Sequence, residues 1–269
     1  MVTRVGLGGE GVLRTTGKQE EAHRVIQSAV AEGITYYDSA RVYSDSELYY
    51  GGIWEKDPET RKRMFQTSKS ASRDKNGARK DLEETLQRLQ VDYLDLWQIH
   101  DVRSFQELSV ISGPGGALEA FMEAKEAGKI RFIGVTGHHD PDVLAQAVRD
   151  LPVDAVMMPI NPVEEVLGGF LTKTLPAALD KGIAVIGMKI FGGGHYIAPH
   201  LGLTPQLLLR YALGKPITVA IVGCSDTSEV ETLAAAGRIE QPLDKAEMQK
   251  LIAPFREDAR RLAFYRGVI

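Results

Sequence analysis

Ile217-Thr218-Val219-Ala220-Ile221-Val222, followed by Gly223-Cys224-Ser225-Asp226, is the stretch on which the fold turns. One hydroxyl among six side chains leaves this run without a polar face. It therefore predicts a strand covered on both sides, as in a parallel sheet clothed by helices. The polar residues after it end the strand, and an amphipathic segment from about Ser225 to Ala236 supplies a covering helix.

The same order repeats upstream. Strands are expected at Thr3–Leu7, Ile34–Asp38, Arg63–Ser68, Tyr93–Ile99, Ile130–Val135, Val153–Met158 and Ile183–Met188. Helices are expected at Gln19–Glu32, Ser46–Trp54, Asp74–Leu89 and Ala117–Ala127. Others start at Asp140-Pro141, end near Lys181-Gly182, and run from Thr204-Pro205 to Leu213. Gly33 and Gly128 stand where helices stop, and Pro141 and Pro205 stand where they begin. Val102–Gly116 reads as irregular, and Asp244–Phe264 as one extra amphipathic helix outside the repeat.

Eight strand–helix units share 269 residues, roughly 34 each, about what such a unit needs. The expectation is a single-domain (β/α)8 TIM barrel over 1–269. A doubly wound sheet would want G-x-G-x-x-G after its first strand, and Gly6-Leu7-Gly8-Gly9-Glu10-Gly11 lacks that order.

Composition narrows the class. Apolar residues at 43% and charged ones at 25% exclude disorder. With 32 basic and 36 acidic residues the net charge is −4, which offers no footprint for nucleic acid or an anionic membrane. Cys224 is the single cysteine, so an intramolecular disulfide and a multi-cysteine metal site are excluded, and no metal is expected. The start has no apolar signal region, and no run approaches the ~18 apolar residues of a membrane span. A cytoplasmic protein is expected, a monomer or weak homo-oligomer acting on a small molecule.

In a barrel of this kind the chemistry sits at the C-terminal ends of strands. Strand two ends at Asp38 with Tyr43 just beyond, strand three at Thr67-Ser68-Lys69, and strand four at Trp97-Gln98-Ile99-His100. Singly, these residues read as a cap, a half-buried ring, a solvated ammonium and a core imidazole. Together they make a proton-transfer unit. A tyrosine with a pKa of about 10 needs a cation to favour its phenolate, and a carboxylate to hold that cation. Lys69 and Asp38 fill those roles, and His100 orients a carbonyl or hydroxyl. Asp101, next to His100, is expected to face solvent. No thiol, metal cluster or Ser/His/Asp order is on offer, so hydride from a nicotinamide is the natural partner.

The block Gly33-Ile34-Thr35-Tyr36-Tyr37-Asp38-Ser39-Ala40-Arg41-Val42-Tyr43 resembles the G-x-x-x-x-D-T-A-x-x-Y signature of the aldo-keto reductase superfamily. Thr67-Ser68-Lys69, Leu94–His100 and Gly128–Gly137 extend the resemblance over nearly the whole chain. It implies a barrel that binds NAD(P)H without a Rossmann domain and a tetrad of Asp38, Tyr43, Lys69 and His100, with Tyr43 as the acid.

The resemblance also implies cofactor contacts. Thr136 and Gly137 stand where the family holds the nicotinamide carboxamide. Met157 replaces a family glutamine, and Asn161 either supplies that missing group or is a turn residue before Pro162. Met188 would lie against the nicotinamide, and Lys189, Phe191 and Gly192 belong to a glycine-rich loop over the pyrophosphate. After strand eight, Gly223, Cys224, Ser225, Asp226 and Glu229 would meet the adenosine end. Family habit favours NADP(H). Glu229 would repel a 2′-phosphate and could accept from a free ribose diol, so NAD(H) stays open; Asp226 and Glu229 also read simply as first-turn acids.

Two departures from the resemblance concern the ends: the usual N-terminal hairpin and the long C-terminal tail are expected to be absent. The function implied is reduction of an aldehyde or ketone, or the reverse oxidation. The alternative is a non-catalytic subunit that senses the nucleotide.

Overall fold

In the computed structural model, which describes residues 2–239 and 241–267, eight parallel strands close in chain order. They are β1 (Val5–Gly11), β2 (Tyr36–Tyr37), β3 (Phe65–Ser70), β4 (Leu94–Ile99), β5 (Ile130–Thr136), β6 (Ala155–Pro159), β7 (Ala184–Met188) and β8 (Val219–Cys224), with β8 pairing back onto β1. The (β/α)8 barrel expected from the apolar runs is the fold. Among the described residues, no helix is long and apolar enough to cross a membrane.

Side chains alternate across each strand. Tyr36, Leu96, Ala155, Met157, Ile186, Val219 and Ile221 form one cluster that fills the lumen. Their strand neighbours Tyr37, Trp97, Val156, Val185 and Ala220 belong to the larger core between sheet and helices. A step of two carries the lumen face from Tyr36 to Asp38, from Thr67 to Lys69, and from Leu96 through Gln98 to His100. Period-two geometry thus aims the tetrad's strand residues at one mouth.

The helices that clothe the sheet are α1 (Gln19–Ala31), α2 (Ser46–Trp54), α3 (Pro58–Arg63), α4 (Lys75–Leu89), α5 (Phe105–Ser112), α6 (Ala117–Glu126), α7 (Pro141–Asp150), α8 (Pro162–Leu167), α9 (Leu175–Lys181), α10 (Pro205–Leu213) and α11 (Thr227–Gly237). Their starts follow side-chain caps. Asp74, Asp140, Asn161, Thr204 and Asp226 each accept from a backbone N–H of the first turn, an interaction worth about 1 kcal/mol.

Four local expectations change. Strand one runs on from Leu7 to Gly11, with an irregular register against β8 between those residues. The glycines make this possible: Gly11 has φ 68, and a β-carbon on it would stand 2.4 Å from the Cys224 carbonyl oxygen. The Val102–Gly116 segment contains α5, because Ser104 accepts from Glu107 N while Arg103 N donates back to the Glu107 carboxylate. The helix between β6 and β7 is two, α8 and α9. They are separated by Gly168 and Gly169 at positive φ and a wide turn over Phe170–Thr174.

The last change is at the C-terminal segment, which is a chain of short pieces rather than one helix. They are α12 (Lys245–Ile252), a tight turn at Ala253–Phe255 that takes in Pro254, α13 (Ala259–Leu262) and a final turn at Phe264–Arg266. Proline lacks the N–H that a continuous helix would use. The end of this segment packs on the loops at the barrel's C-terminal face. Tyr196 Oη donates to the Leu262 carbonyl, and Tyr265 Oη donates to Glu164 at 2.6 Å. Arg266 pairs with the same buried Glu164.

Candidate active site

Asp38 and Lys69 form the floor. Lys69 Nζ lies 2.6 Å from Asp38 Oδ2, with side chains only 1% and 2% exposed. Thr67 Oγ1 donates to the other carboxylate oxygen at 2.9 Å, and Lys69 also donates to the Ser39 carbonyl at 2.7 Å. These bonds fix both charges and offset part of their desolvation. Although β2 ends at Tyr37, Asp38 N still donates to Leu7 O at 2.9 Å, which seats it against β1.

Tyr43 stands above this pair. Its ring centroid is 4.7 Å from Lys69 Nζ and 5.6 Å from the His100 ring, which meets it edge-on. The tetrad residues, drawn from three strand ends, are therefore in one place. Burial, and then the Asp38 carboxylate, hold the Tyr43 phenol well above its ordinary range. The Lys69 ammonium is engaged with Asp38, and that carboxylate itself resists a second negative charge on Tyr43. Burial lowers Lys69, while Asp38 acts in the opposite sense. Burial and then Lys69 hold His100 well below the usual imidazole value, so the ring is neutral at pH 7.

Three groups at this mouth escaped the sequence reading. Arg14, from the turn Val12–Arg14, places its guanidinium 4.8 Å from the Tyr43 ring centroid and pairs with Glu10 at 2.6 Å. Gln98 is fully buried next to Lys69 in the ladder, and neither atom of its amide has a partner among the described residues. A lone amide at a lumen position of an apolar strand was the available signal. Asp101, expected in solvent, has a side chain only 15% exposed and lies among His138, His139 and Arg103.

The expected cofactor residues divide. Thr136 is buried and accepts from Asp101 N at 2.8 Å, with Gly137 beside it. Met188 ends β7 at the mouth. Lys189 follows in a left-handed conformation at φ 57; it forms no salt bridge among the described residues, and burial lowers its pKa. Phe191 is half-buried, and Gly192, Gly193 and Gly194 all have positive φ, a conformation side-chain-free residues adopt cheaply. A loose ammonium, adjacent glycine backbone and an unpartnered amide fit a dinucleotide with a pyrophosphate and a carboxamide.

Two of the expected residues have side chains committed elsewhere. Asn161 caps α8 by accepting from Glu164 N, and its amide nitrogen lies 3.1 Å from both the Lys189 carbonyl and Tyr265 Oη. That amide holds the fold, as the turn reading had it. Cys224 is fully buried on the outward side of β8, and burial pushes its thiol up to about 12. Its side chain is closed to a cofactor.

At the start of α11, Asp226 accepts from Glu229 N at 3.0 Å, and Glu229 accepts from Ser225 N at 2.6 Å. The two carboxylates already serve N–H groups that an anion would use. Gly223 and Ser225 flank them.

The family model for the aldo/keto reductase family matches residues 4–198. L-galactose dehydrogenase of Arabidopsis thaliana is 27% identical, over 87% of this chain and 84% of its own. Protein tas of Escherichia coli is 32% identical but covers about half of each chain, 50% and 48%. Among solved structures, an aldo-keto reductase of Bacillus halodurans in its holo form shares the fold at a TM-score of 0.76. It is 20% identical over 93% of this chain and 91% of that one. A Klebsiella pneumoniae aldo-keto reductase in complex with NADPH does so at 0.74, with 22% identity over 95% and 92%. With the family model running from the first strand into the loop after the seventh, this chain belongs to the aldo/keto reductase family.

Proposed function

We propose that this protein is an NAD(P)H-dependent oxidoreductase that reduces an aldehyde or ketone to the alcohol, or runs the reverse reaction. The observation that carries the reading is Tyr43. Its ring lies 4.7 Å from Lys69 Nζ and 5.6 Å from the His100 ring, at a mouth shared with the buried Asp38–Lys69 pair. When bound, the nicotinamide supplies or accepts the hydride at the carbonyl carbon.

The chain's own residues handle the proton. Tyr43 Oη donates it to the carbonyl oxygen as the π pair of the C=O bond moves onto that oxygen, and accepts it back in the oxidation, when that pair re-forms the C=O bond. Lys69 opposes the negative charge that then develops on Tyr43, and Asp38 keeps Lys69 in position. His100, neutral, donates or accepts a hydrogen bond at the substrate oxygen without adding a charge. Thr136 and Gly137 would hold the carboxamide. Met188 would pack on the ring, and Lys189, Phe191 and Gly192 would hold the pyrophosphate. The backbone around Gly223–Ser225, with Glu229, would meet the adenosine. Relatives favour NADP(H), whereas Asp226 and Glu229 favour NAD(H).

The test is a fluorescence titration with NADPH and NADH, followed by turnover on a panel of aldehydes and ketones. Saturable binding with turnover that Tyr43→Phe abolishes supports the reading. Binding without turnover of any carbonyl would move the chain to the nucleotide-sensing alternative, and no binding would remove both.

A further inference from the structure

Asp101 follows His100 directly and adopts a left-handed backbone at φ 55. Its position is fixed from several sides. Its N–H donates to Thr136 Oγ1, its carbonyl accepts from Arg73, and Arg103 Nε donates to Oδ2 at 2.8 Å. Oδ1 is left buried and without a hydrogen-bond partner.

Two imidazoles converge on that oxygen. His138 Nε2 is 3.2 Å away and His139 Nε2 is 3.5 Å away, and the two rings sit 4.5 Å apart. The Nε2 of His139 is likewise buried and unpartnered. His138 Nδ1 lies 2.7 Å from the Tyr265 carbonyl. A carbonyl oxygen only accepts, so Nδ1 carries a proton, which leaves Nε2, facing the carboxylate, as the ring atom able to bind an ion. Asp101 Oδ1 and the two Nε2 atoms thus point at one another, and a cation between them would satisfy all three.

The spacing suits one. Around a tetrahedral ion with bonds of about 2.0–2.1 Å, neighbouring ligand atoms stand about 3.4 Å apart. One ligand atom from each of the three residues lies within 4.8 Å of the others. The Nδ1–H of His138 on a backbone carbonyl is the outer contact that usually orients a metal-bound imidazole. Two imidazoles and a carboxylate suit Zn2+ and its first-row neighbours rather than Mg2+ or Ca2+.

We propose that Asp101, His138 and His139 form a site for one divalent transition-metal ion, with Zn2+ as its ligand, leaving a fourth position for water or a substrate oxygen. No separate motif announces this set. Asp101 comes from the loop after β4 and the histidines from the loop after β5, so only the barrel brings them together.

The experiment uses untagged, chelator-treated full-length protein. Calorimetric titration with Zn2+ and the visible absorption of the Co2+ form are measured for the wild type, Asp101→Asn, His139→Asn and, as control, the exposed His200→Asn. The expected result is one ion per chain in the wild type and the control, with four-coordinate Co2+ bands. Binding should be weaker by about a hundredfold or more in both site variants, since loss of outer partners alone costs 10–100-fold. Circular dichroism verifies folding, and His139→Asn stands in should Asp101→Asn fail to fold. Absence of stoichiometric binding, or binding that survives loss of either ligand in a folded variant, overturns the site. Neither readout depends on turnover, so the site stands or falls separately from the proposed oxidoreductase activity.

Discussion

The Tyr43 ring rests on Gly9 so closely that a β-carbon at Gly9 would lie 2.7 Å from it. The glycines of β1, which fit no dinucleotide fingerprint, thus have a local purpose: they let β1 run close past β8 and leave room for the ring above Lys69. Gly9→Ala should push Tyr43 off the Lys69 side. We expect kcat for carbonyl reduction to fall about tenfold or more, with nucleotide affinity nearly unchanged, since misplacement by about 1 Å costs up to 10²-fold. Steady-state kinetics beside a nucleotide titration will check this; unchanged kcat would mean the ring's position is not critical.

Tyr43→Phe removes the proton and little else. Turnover should fall to background, while NADPH or NADH still quenches or enhances fluorescence with near wild-type affinity. Residual activity near that of the wild type would assign the proton to another group at this mouth, such as His100 or Lys69.

The raised Tyr43 pKa sets a sign for the pH profile. In the proposed mechanism reduction uses the protonated phenol. A pKa above the ordinary range moves the descending limb of the rate to higher pH, so kcat/KM for reduction should stay flat from about pH 6 to 9. Oxidation uses the phenolate, and its rate should climb throughout that interval. A reduction rate that already falls near neutrality would show the phenol to be lowered.

Lys69→Met leaves Asp38 buried without its cation. Breaking one partner of a buried pair costs roughly 3–5 kcal/mol, a loss measurable by chemical denaturation. Adding Asp38→Asn should restore part of that stability but none of the activity, because the remaining amide no longer leaves a charge unpaired. A double variant no more stable than Lys69→Met would place the cost elsewhere.

Glu229→Arg replaces a carboxylate that accepts from Ser225 N with a cation near the adenosine end. The ratio of NADPH to NADH affinity should rise by about tenfold or more, since a like charge near a phosphate is exchanged for an opposite one. The lost cap should cost about 1 kcal/mol. An unchanged ratio would put the 2′-position away from α11.

Much of this was written along the chain. Apolar runs such as Val219–Val222 require cover on both faces, and their regular spacing between amphipathic helices allows little besides a closed barrel. Asp38, Lys69 and His100 sit at strand ends, and the alternation of side chains aims them inward from the sequence alone. Short-range signals also served: Asp226 caps α11, and Glu229 is an acid of its first turn. Where local signals conflicted, the reading slipped. The glycines of 113–116 masked the capped helix just before them, and the amphipathic pattern of 244–264 hid the interruption that includes Pro254.

What strand periodicity could not decide were the contacts made by closure and by the loops. The pairing of β1 with β2 brings Arg14 and Gly9 to Tyr43, because those residues are near neighbours of the ring in space and not in sequence. The charge state of Tyr43 belongs to the tertiary structure too. Proximity to a lysine predicts a lowered phenol, but burial and the Asp38 carboxylate outweigh a cation already paired. Asp101, His138 and His139 carry no spacing that a linear pattern reveals; the pairing of β4 with β5 and the contact of His138 with the Tyr265 carbonyl bring them together. The chain's periodicity determined the barrel and which residues face its mouth; desolvation and distance, which exist only once the barrel is closed, decided what those residues do there.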